Sequence, residues 1–349
     1  MDNNSSFAKD EGVKQFLRPF APFLEDSDVT ELIMNRPGEV ITKTFKGDFF
    51  HDVPELTQQY MSALITSLAT YNGIGVSSVM YLVLPDGSRG TVIMPPSVID
   101  GGLSFLIRKH SVTIKSLEQL HAEGALSCVV DVSFNKPSDD AAKELMQLNG
   151  FKRLSPFEVD LLRLKNEGNY LEFLKACVLN KRNIVIAGKT GSGKTTFTRS
   201  LIELVPLHER IVTIEDVHEL ILNSHKNKTH LLYGYGKGRI SADECLAACM
   251  RLSPDRIFLA ELRGNEAWEY MNSLNTGHPG SITTTHANNA VQTFERITSL
   301  IKKSEIGRSI EKETIKDLLY STIDVILFME DRKVTEVFYD PIFSREKMG

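Results

Sequence analysis

A glycine-rich stretch of the chain fits a phosphate-binding loop. "GKTGSGKT", residues 188–195, matches G-x-x-x-x-G-K-[ST] and stands between a predicted strand and a predicted helix. Its glycines let the backbone curve closely around a phosphate with N–H groups pointing inward, and the start of the helix adds partial positive charge. We expect Lys194 to reach the β- and γ-phosphates and the Thr195 hydroxyl to bind Mg²⁺. The stretch therefore predicts a nucleoside triphosphate site.

Acidic residues end two predicted strands that follow this loop. "RIVTIED" ends in Glu215 and Asp216, and "RIFLAELRG" brings Glu261 after four apolar residues. Carboxylates at the carboxyl ends of neighbouring strands can hold magnesium, partly through water, and orient an attacking water. An acid at a strand end is ordinarily only solvated, but the loop upstream favours a function for Glu215 and Glu261. The spacing leaves open which of them is the general base.

Two histidines flank a further predicted strand. In "TGHPGSITTTHANN", residues 276–289, the alternating, β-branched "SITTT" has His278 before it and His286 after it. A polar surface loop is the simpler interpretation. If this strand runs beside the strand that ends at Glu261, however, His278 or His286 would lie near the γ-phosphate of the nucleotide. Metal binding is the rival, but residues eight apart across a strand do not share a face as in helical H-x-x-x-H. We expect His278 to sense the phosphate and His286 to have a structural or supporting role.

The elements around these motifs predict two domains. Residues 1–114 read as an α+β domain, a PAS-like set of strands around one helix, with a Pro-Asp-Gly hairpin turn. Residues 115–155 are less regular and polar, so we interpret them as an interdomain linker. From 156 to 349 strands alternate with helices, which predicts an α/β domain whose mostly parallel sheet is covered on both faces.

Composition limits the class of protein. The 349 residues are 42% hydrophobic and 24% charged, as in a globular chain, and 40 basic against 45 acidic side chains give a net charge of −5. This charge leaves only a local groove for nucleic acid, so we do not expect strong direct binding. The polar, acidic start and the lack of a long apolar run predict a cytoplasmic protein, at most peripheral to a membrane. The four cysteines lack metal or disulfide spacing and are expected in the core.

Four motifs in this order resemble those of the secretion ATPase superfamily, which powers type II secretion, type IV pili and type IV secretion. "GKTGSGKT", "RIVTIEDVHEL", "RLSPDRIFLAELRG" and "NTGHPGSITTTHAN" are similar to its Walker A, Asp box, Walker B and His box. "PFLEDSDVTELIMNRPGEV" and "LPDGSRGTVIMPP" also resemble the N-terminal domain of type IV secretion traffic ATPases. The cysteine-paired zinc insertion usual in type II secretion ATPases is absent from the sequence, which favours the type IV branch.

This resemblance implies a RecA-like ATPase domain that uses ATP and Mg²⁺ in a homohexameric ring. It further implies a cytoplasmic position at the inner membrane, against the membrane components of a type IV secretion machine and its other ATPases. The implied catalytic residues are Lys194, Glu215, Glu261 and His278, and the implied metal ligands are Thr195, Glu215 and Glu261. The implied nucleotide-binding residues are Gly188, Thr190, Gly191, Ser192, Gly193, Lys194, Thr195, Thr196, Arg89 and Arg108.

Alternatives remain at this point. Arg89 and Arg108 match arginines that reach the nucleotide from the N-terminal domain in the resembling ATPases, but each also fits an exposed strand arginine. A pilus extension or retraction ATPase would use the same chemistry as a secretion ATPase. A RecA-like nucleic-acid motor is disfavoured by the net acidity, and a P-loop protein that only binds nucleotide is disfavoured by the two glutamates.

Overall fold

The computed structural model describes residues 11–44, 46–99, 102–109, 114–234 and 239–348. The chain divides into two units, one of residues 1–112 with 234–239 and one of residues 113–233 with 240–349. Within the described residues, no helix combines the length and the apolar character that crossing a membrane requires.

The first unit contains a six-stranded antiparallel sheet in the order β3-β2-β1-β6-β5-β4. Its strands are β1 (Val29–Met34), β2 (Glu39–Thr44), β3 (Gly47–Asp52), β4 (Val79–Val83), β5 (Arg89–Ile93) and β6 (Ser104–Arg108). Residues 11–16 are helical, followed by a 3₁₀ turn (Arg18–Phe20), α1 (Ala21–Glu25) and α2 (Gln58–Tyr71). Pro19 and Pro22, in the first turns of the second and third pieces, interrupt the helical segment of residues 11–25.

Helix α2 fills the core of this unit. Thr57 caps its first turn by accepting a hydrogen bond from the Tyr60 N–H at 3.2 Å, and the helix ends just before Gly73. Leu64 and Leu68, one turn apart, are buried in a cluster with Phe105 and other apolar side chains of the sheet. The predicted arrangement of strands around one helix therefore matches the first unit.

The second unit contains an eight-stranded sheet in the order β10-β9-β11-β12-β8-β13-β14-β7. Its strands are β7 (Val130–Asp131), β8 (Ile184–Gly188), β9 (Ile211–Glu215), β10 (Lys228–Leu232), β11 (Arg256–Leu259), β12 (Ile282–Thr285), β13 (Val325–Glu330) and β14 (Lys333–Tyr339). All neighbouring pairs are parallel except β13 with β14. The prediction of a mostly parallel sheet is confirmed.

Helices cover both faces of this sheet. They are α3 (Leu117–Ala122), α4 (Asp139–Gln147), α5 (Pro156–Asn166), α6 (Tyr170–Leu179), α7 (Lys194–Ile202), α8 (Ala242–Cys249), α9 (Glu266–Asn275), α10 (Gln292–Lys303), α11 (Glu305–Ser309), α12 (Lys312–Thr322) and α13 (Pro341–Met348). Along β8, Ile184 and Ile186 belong to one buried cluster, and Val185 and Ala187 belong to the other. Because successive strand residues point to opposite faces, each face has its own core.

Residues 115–155 form part of the second unit, where the sequence suggested a linker. The segment carries α3, α4 and β7, and β7 pairs with β14. Leu117, Leu120, Ala142 and Leu154 are buried in the same cluster as Ile184. These apolar side chains are too far apart in the sequence to show the periodicity of a helix or strand. The polar residues between them therefore suggested a linker.

Candidate active site

The loop after β8 has the shape that its glycines predict. Gly188 has φ 151°, and a Cβ at this position would collide with the Met329 carbonyl oxygen on the neighbouring strand. Gly193 has φ 92° at the N-cap of α7. Both backbone conformations favour glycine. Thr190 is exposed, and Thr195 and Thr196 are half-buried on the first turn of α7. An open groove of about 820 Å³ beside the loop is lined by Thr190, His286 and residues of α10.

Lys194 points back into this loop. Its side chain is largely buried, with the residue 8% exposed, and Nζ donates hydrogen bonds of 2.8 Å to the carbonyl oxygens of Gly188 and Lys189. Burial lowers the pKa of Lys194 to about 8, and the nearby carboxylate of Glu261 opposes this shift. The buried Ser192 Oγ has no hydrogen-bond partner among the described residues. The loop thus holds a desolvated ammonium and an unpaired hydroxyl, which suit an anionic ligand.

Glu261 is joined to this loop through His286. Glu261 follows β11, and His286 follows the neighbouring β12, so both lie at the carboxyl edge of the sheet. His286 Nε2 lies 3.0 Å from Glu261 Oε1, and its Nδ1 lies 3.0 Å from the carbonyl oxygen of Gly188. One imidazole therefore connects the acid after β11 with the start of the glycine loop.

Arg263 connects Glu261 with a second acid, Asp216. One guanidinium nitrogen lies 2.7 Å from Glu261 Oε2 and the other 2.5 Å from Asp216 Oδ2. Burial alone lowers the pKa of Arg263, but the hydrogen bond to Glu261 and the charge of Asp216 raise it well above its usual range. The acid that shares a partner with Glu261 is thus Asp216 rather than its neighbour Glu215.

Glu215 is fully buried and its carboxylate has several hydrogen-bond donors. Oε1 accepts the Thr213 hydroxyl, and Oε2 accepts the N–H groups of Glu219 and Leu220, each at 2.7 Å. Burial alone raises the pKa of Glu215, but these bonds together with two neighbouring histidines hold it far below its usual range. The carboxylate thereby orders the backbone that follows β9. This geometry differs from the expectation of an open magnesium ligand.

His278 lies at the opposite edge of the sheet from the loop. Its Nδ1 is 3.1 Å from the carbonyl oxygen of Pro254, which precedes β11, and His278 itself precedes β12. A strand of four residues, about 13 Å long, separates it from the carboxyl edge. Within the chain, the structure brings His286 to Glu261 and the loop and keeps His278 away. The contacts of His286 fit the supporting role expected for it, and the role of His278 as a phosphate sensor stays a prediction.

Arg89 and Arg108 are neighbours in the sheet of the first unit. They face each other in the register of β5 and β6. Arg108 is exposed and binds Glu31 of β1, with a guanidinium nitrogen 2.7 Å from Oε1. The two arginines therefore share one face of that sheet.

Sequence reasoning gave Asp216 no role, did not name Arg263, and expected a supporting role for His286 without its contact to Glu261. The sequence "ELRG" could have indicated Arg263, because side chains two residues apart in extended backbone, here Glu261 and Arg263, point to the same side. The choice between Glu215 and Asp216 had no such signal, since it depends on which side of the sheet the carboxylate faces.

The chain was compared with known proteins. Residues 152–330 match the type II/IV secretion system protein family. The chain belongs to this family. It is 36% identical to the type IV secretion system protein VirB11 of Brucella suis, over 94% of this chain and 90% of that protein. The prediction of a secretion ATPase is confirmed at the level of the family.

Solved structures agree with this membership. The crystal structure of the VirB11 ATPase from the Brucella suis type IV secretion system, in complex with sulphate, matches with a TM-score of 0.54 and 35% identity, covering 99% of both chains. The pilus retraction motor PilT with bound ADP matches with a TM-score of 0.55 over 88% of this chain and 76% of that one. At 18% identity, this second likeness shows the fold alone.

Proposed function

We propose that this protein hydrolyses ATP with Mg²⁺ and thereby powers type IV secretion, moving DNA or protein substrates or assembling the pilus. One observation carries the proposal. The buried Lys194 of the glycine loop and the acid Glu261 are connected through Gly188 and His286 at one edge of the sheet. A phosphate loop joined to a carboxylate is the arrangement that phosphoryl transfer to water requires.

The residues divide the work by their chemistry. Lys194 supplies positive charge to the transferring phosphoryl group, and the loop N–H groups, Ser192 and the threonines of the first turn of α7 donate hydrogen bonds to phosphate oxygens. Thr195 and Glu261 are the proposed magnesium ligands, Glu261 partly through water. When bound, Mg²⁺ neutralises charge on the phosphate oxygens.

The remaining polar groups position this machinery. We assign to His286 the role of holding Glu261 against the loop, and to Arg263 that of fixing Glu261 relative to Asp216. Glu215 is proposed to order the backbone after β9 instead of binding magnesium, because its oxygens accept Thr213 Oγ1 and the N–H groups of Glu219 and Leu220.

The working form is proposed to be a homohexamer, peripheral to the cytoplasmic face of the inner membrane and docked on membrane components and other ATPases of the secretion machine. Arg89 and Arg108 are proposed to contribute to the nucleotide site from the first unit, since an arginine fork suits a γ-phosphate. Native mass measurement of the protein with Mg²⁺ and a nonhydrolysable ATP analogue tests the ring, and a monomer under these conditions would contradict it.

The variant Lys194→Ala tests the proposed chemistry. Removing one preorganised charge donor lowers turnover by about a hundred- to a thousandfold, so phosphate release should fall close to background while the fold persists. Lys189→Ala is a matched control, because it removes a loop lysine whose side chain is exposed. A host strain that lacks the gene should recover substrate transfer with Lys189→Ala and not with Lys194→Ala. Normal turnover in folded Lys194→Ala protein would remove the assignment.

A pilus-dynamics role is the second candidate function, because a pilus motor would use the same ATPase chemistry. The same strain distinguishes the two, because loss of DNA or effector transfer marks a secretion ATPase, whereas loss of pilus movement alone marks a pilus motor.

A further inference from the structure

Two histidines converge on the buried carboxylate of Glu215. His218 lies in the loop after β9, three residues beyond Glu215, and His230 lies on the adjacent edge strand β10. The two imidazole rings pack with centroids 4.3 Å apart. Each residue offers a ligand atom, and these three atoms lie within 4.8 Å of one another.

The separations within this cluster fit a tetrahedral metal ion. Nδ1 of His218 is 3.3 Å and Nδ1 of His230 is 3.5 Å from Glu215 Oε1. The His218 contact is a long hydrogen bond in the absence of an ion. Two ligands with bonds of about 2.0–2.2 Å to a tetrahedral zinc ion lie about 3.3–3.6 Å apart. The two separations from Glu215 Oε1 therefore have the length that such a coordination shell requires, and all three ligand atoms lie within 4.8 Å of one another.

Surrounding groups hold the carboxylate and leave an entry path. The Thr213 oxygen lies 2.7 Å from His230 Nδ1, a contact that an ion on this nitrogen would replace. The Thr213 hydroxyl also donates to Glu215 Oε1 at 2.7 Å, and the Leu220 N–H donates to Oε2 at 2.7 Å. Hydrogen bonds of this kind orient metal ligands in proteins. The side chain of His218 is 44% exposed, so an ion can approach from solvent and keep a water as its fourth ligand.

We propose that Glu215, His218 and His230 bind one Zn²⁺ or a similar transition-metal ion. Two imidazoles and one carboxylate are a zinc ligand set, whereas Mg²⁺ prefers oxygen ligands in an octahedron. The site is separate from the proposed magnesium ligands Thr195 and Glu261. It does not depend on ATP hydrolysis, and the ion would fix the loop that follows β9.

Metal titration of the full-length protein tests this inference. Calorimetry with Zn²⁺ in a large excess of Mg²⁺ should give one ion per chain. His218→Ala and His230→Ala should each weaken binding at least about tenfold, since loss even of a group that only orients a ligand costs about 10- to 100-fold. His208→Ala removes an exposed histidine elsewhere in the same unit and should leave binding unchanged. Lys194→Ala should also bind zinc normally, which separates this result from the proposed function.

Co²⁺ absorption identifies the ligands. The proposed site should give visible bands of a four-coordinate ion without the near-ultraviolet thiolate band that Cys245 and Cys249, one turn apart on α8, would produce. Circular dichroism with a chelator present checks that the histidine variants are folded. Absence of stoichiometric binding, equal affinity in folded His218→Ala and His230→Ala proteins, or a thiolate band would each overturn the proposal.

Discussion

Both edges of the sheet in the second unit carry an arginine paired with carboxylates. The arginine is buried at one edge and half-exposed at the other. At the amino edge, Arg256 is fully buried and donates to both carboxylate oxygens of Glu209, at 2.8 and 3.2 Å, and to the carbonyl oxygens of Val178 and Gly280. At the carboxyl edge, Arg263 holds Asp216 and Glu261 but is 45% exposed.

Strand direction explains this difference. The amino edge receives the carboxyl ends of helices, whose last carbonyls lack partners, and Arg256 satisfies one of them at Val178 in α6. The carboxyl edge leads into the amino ends of helices such as α7, where N–H groups remain free for an anion. Ion pairs at the first edge therefore stabilise the fold, and those at the second remain accessible to ligands.

The largest effect should come from breaking the amino-edge pair. Arg256→Gln leaves Glu209 buried without its main partner, and such a loss costs about 3–5 kcal/mol of stability. Arg263→Gln, at the half-exposed edge, should change stability by less than about 1 kcal/mol while slowing hydrolysis. Urea unfolding followed by the fluorescence of Trp268, which packs against the core of this unit and is the chain's one tryptophan, measures both variants.

Equal losses of stability in Arg256→Gln and Arg263→Gln would show that the two edges do not differ in this way. Loss of ATP hydrolysis in the folded fraction of Arg256→Gln would also contradict this distinction, because it would mean that the amino edge contributes to hydrolysis.

Substitutions at the carboxyl edge should lower the rate of ATP hydrolysis rather than stability. Glu261→Gln keeps the shape of the side chain but removes its charge, and we expect hydrolysis to fall by about a hundredfold, the lower end of the loss for one preorganised group. Nucleotide affinity, measured with a fluorescent ATP analogue, should stay close to wild type. The control is Glu330→Gln, because the Glu330 side chain is exposed and pairs with Lys189. If both variants turned over normally, Asp216 would become the acid to test.

Substituting His286 or His278, which lie at opposite edges of the sheet, should have smaller effects on the rate of ATP hydrolysis. His286→Ala removes the connection between Glu261 and Gly188, and we expect turnover to fall by about tenfold, an activation free energy of about 1.4 kcal/mol. His278→Ala, at the amino edge, should change turnover less than twofold in the isolated protein. Steady-state phosphate release measures both. The reverse order would restore His278 as the phosphate sensor, through a contact that a single chain does not contain.

Sequence reasoning reached the elements of this site but not all of its side-chain partners. The glycine pattern predicted the loop because only glycine tolerates the backbone at Gly188 and Gly193. Glu261 was predicted because a run of apolar residues ends at it. His286 was expected to have a supporting role, but its contact with Glu261 was not foreseen, since a motif names both histidines without stating which end of the strand faces the loop.

Tertiary contacts account for the remaining differences. Glu215 has its own donors in Thr213 and the backbone of Glu219 and Leu220, and no linear pattern announces them. The segment 115–155 buries single apolar side chains against the second unit rather than one continuous face. The contacts of segment 115–155 join residues on different elements, whereas those of Glu215 depend on the path of the backbone that follows β9.

The smallest expected effect is a pH slope at the amino edge. Burial alone raises the pKa of Glu209, but the hydrogen bond and charge of Arg256, with Lys181 beside them, hold it below its ordinary value. The folded protein then binds fewer protons than the unfolded chain just below about pH 4.3, the ordinary value for glutamate. The stabilisation from Glu209 is therefore complete above that pH and is lost as the pH falls through the folded pKa.

In Arg256→Gln the pKa of Glu209 should rise relative to wild type, because burial remains and only Lys181 still opposes it. The variant should therefore lose less stability than wild type as the pH falls. The difference in unfolding free energy between wild type and Arg256→Gln should narrow from about pH 7 to about pH 4, by less than about 1.4 kcal/mol per pH unit for one proton. Urea unfolding at several pH values measures this gap. A gap that stays constant or widens toward low pH would mean that the cost of losing Arg256 comes from its bonds to the Val178 and Gly280 carbonyls, and the amino edge would then be stabilised by helix capping rather than by its ion pair.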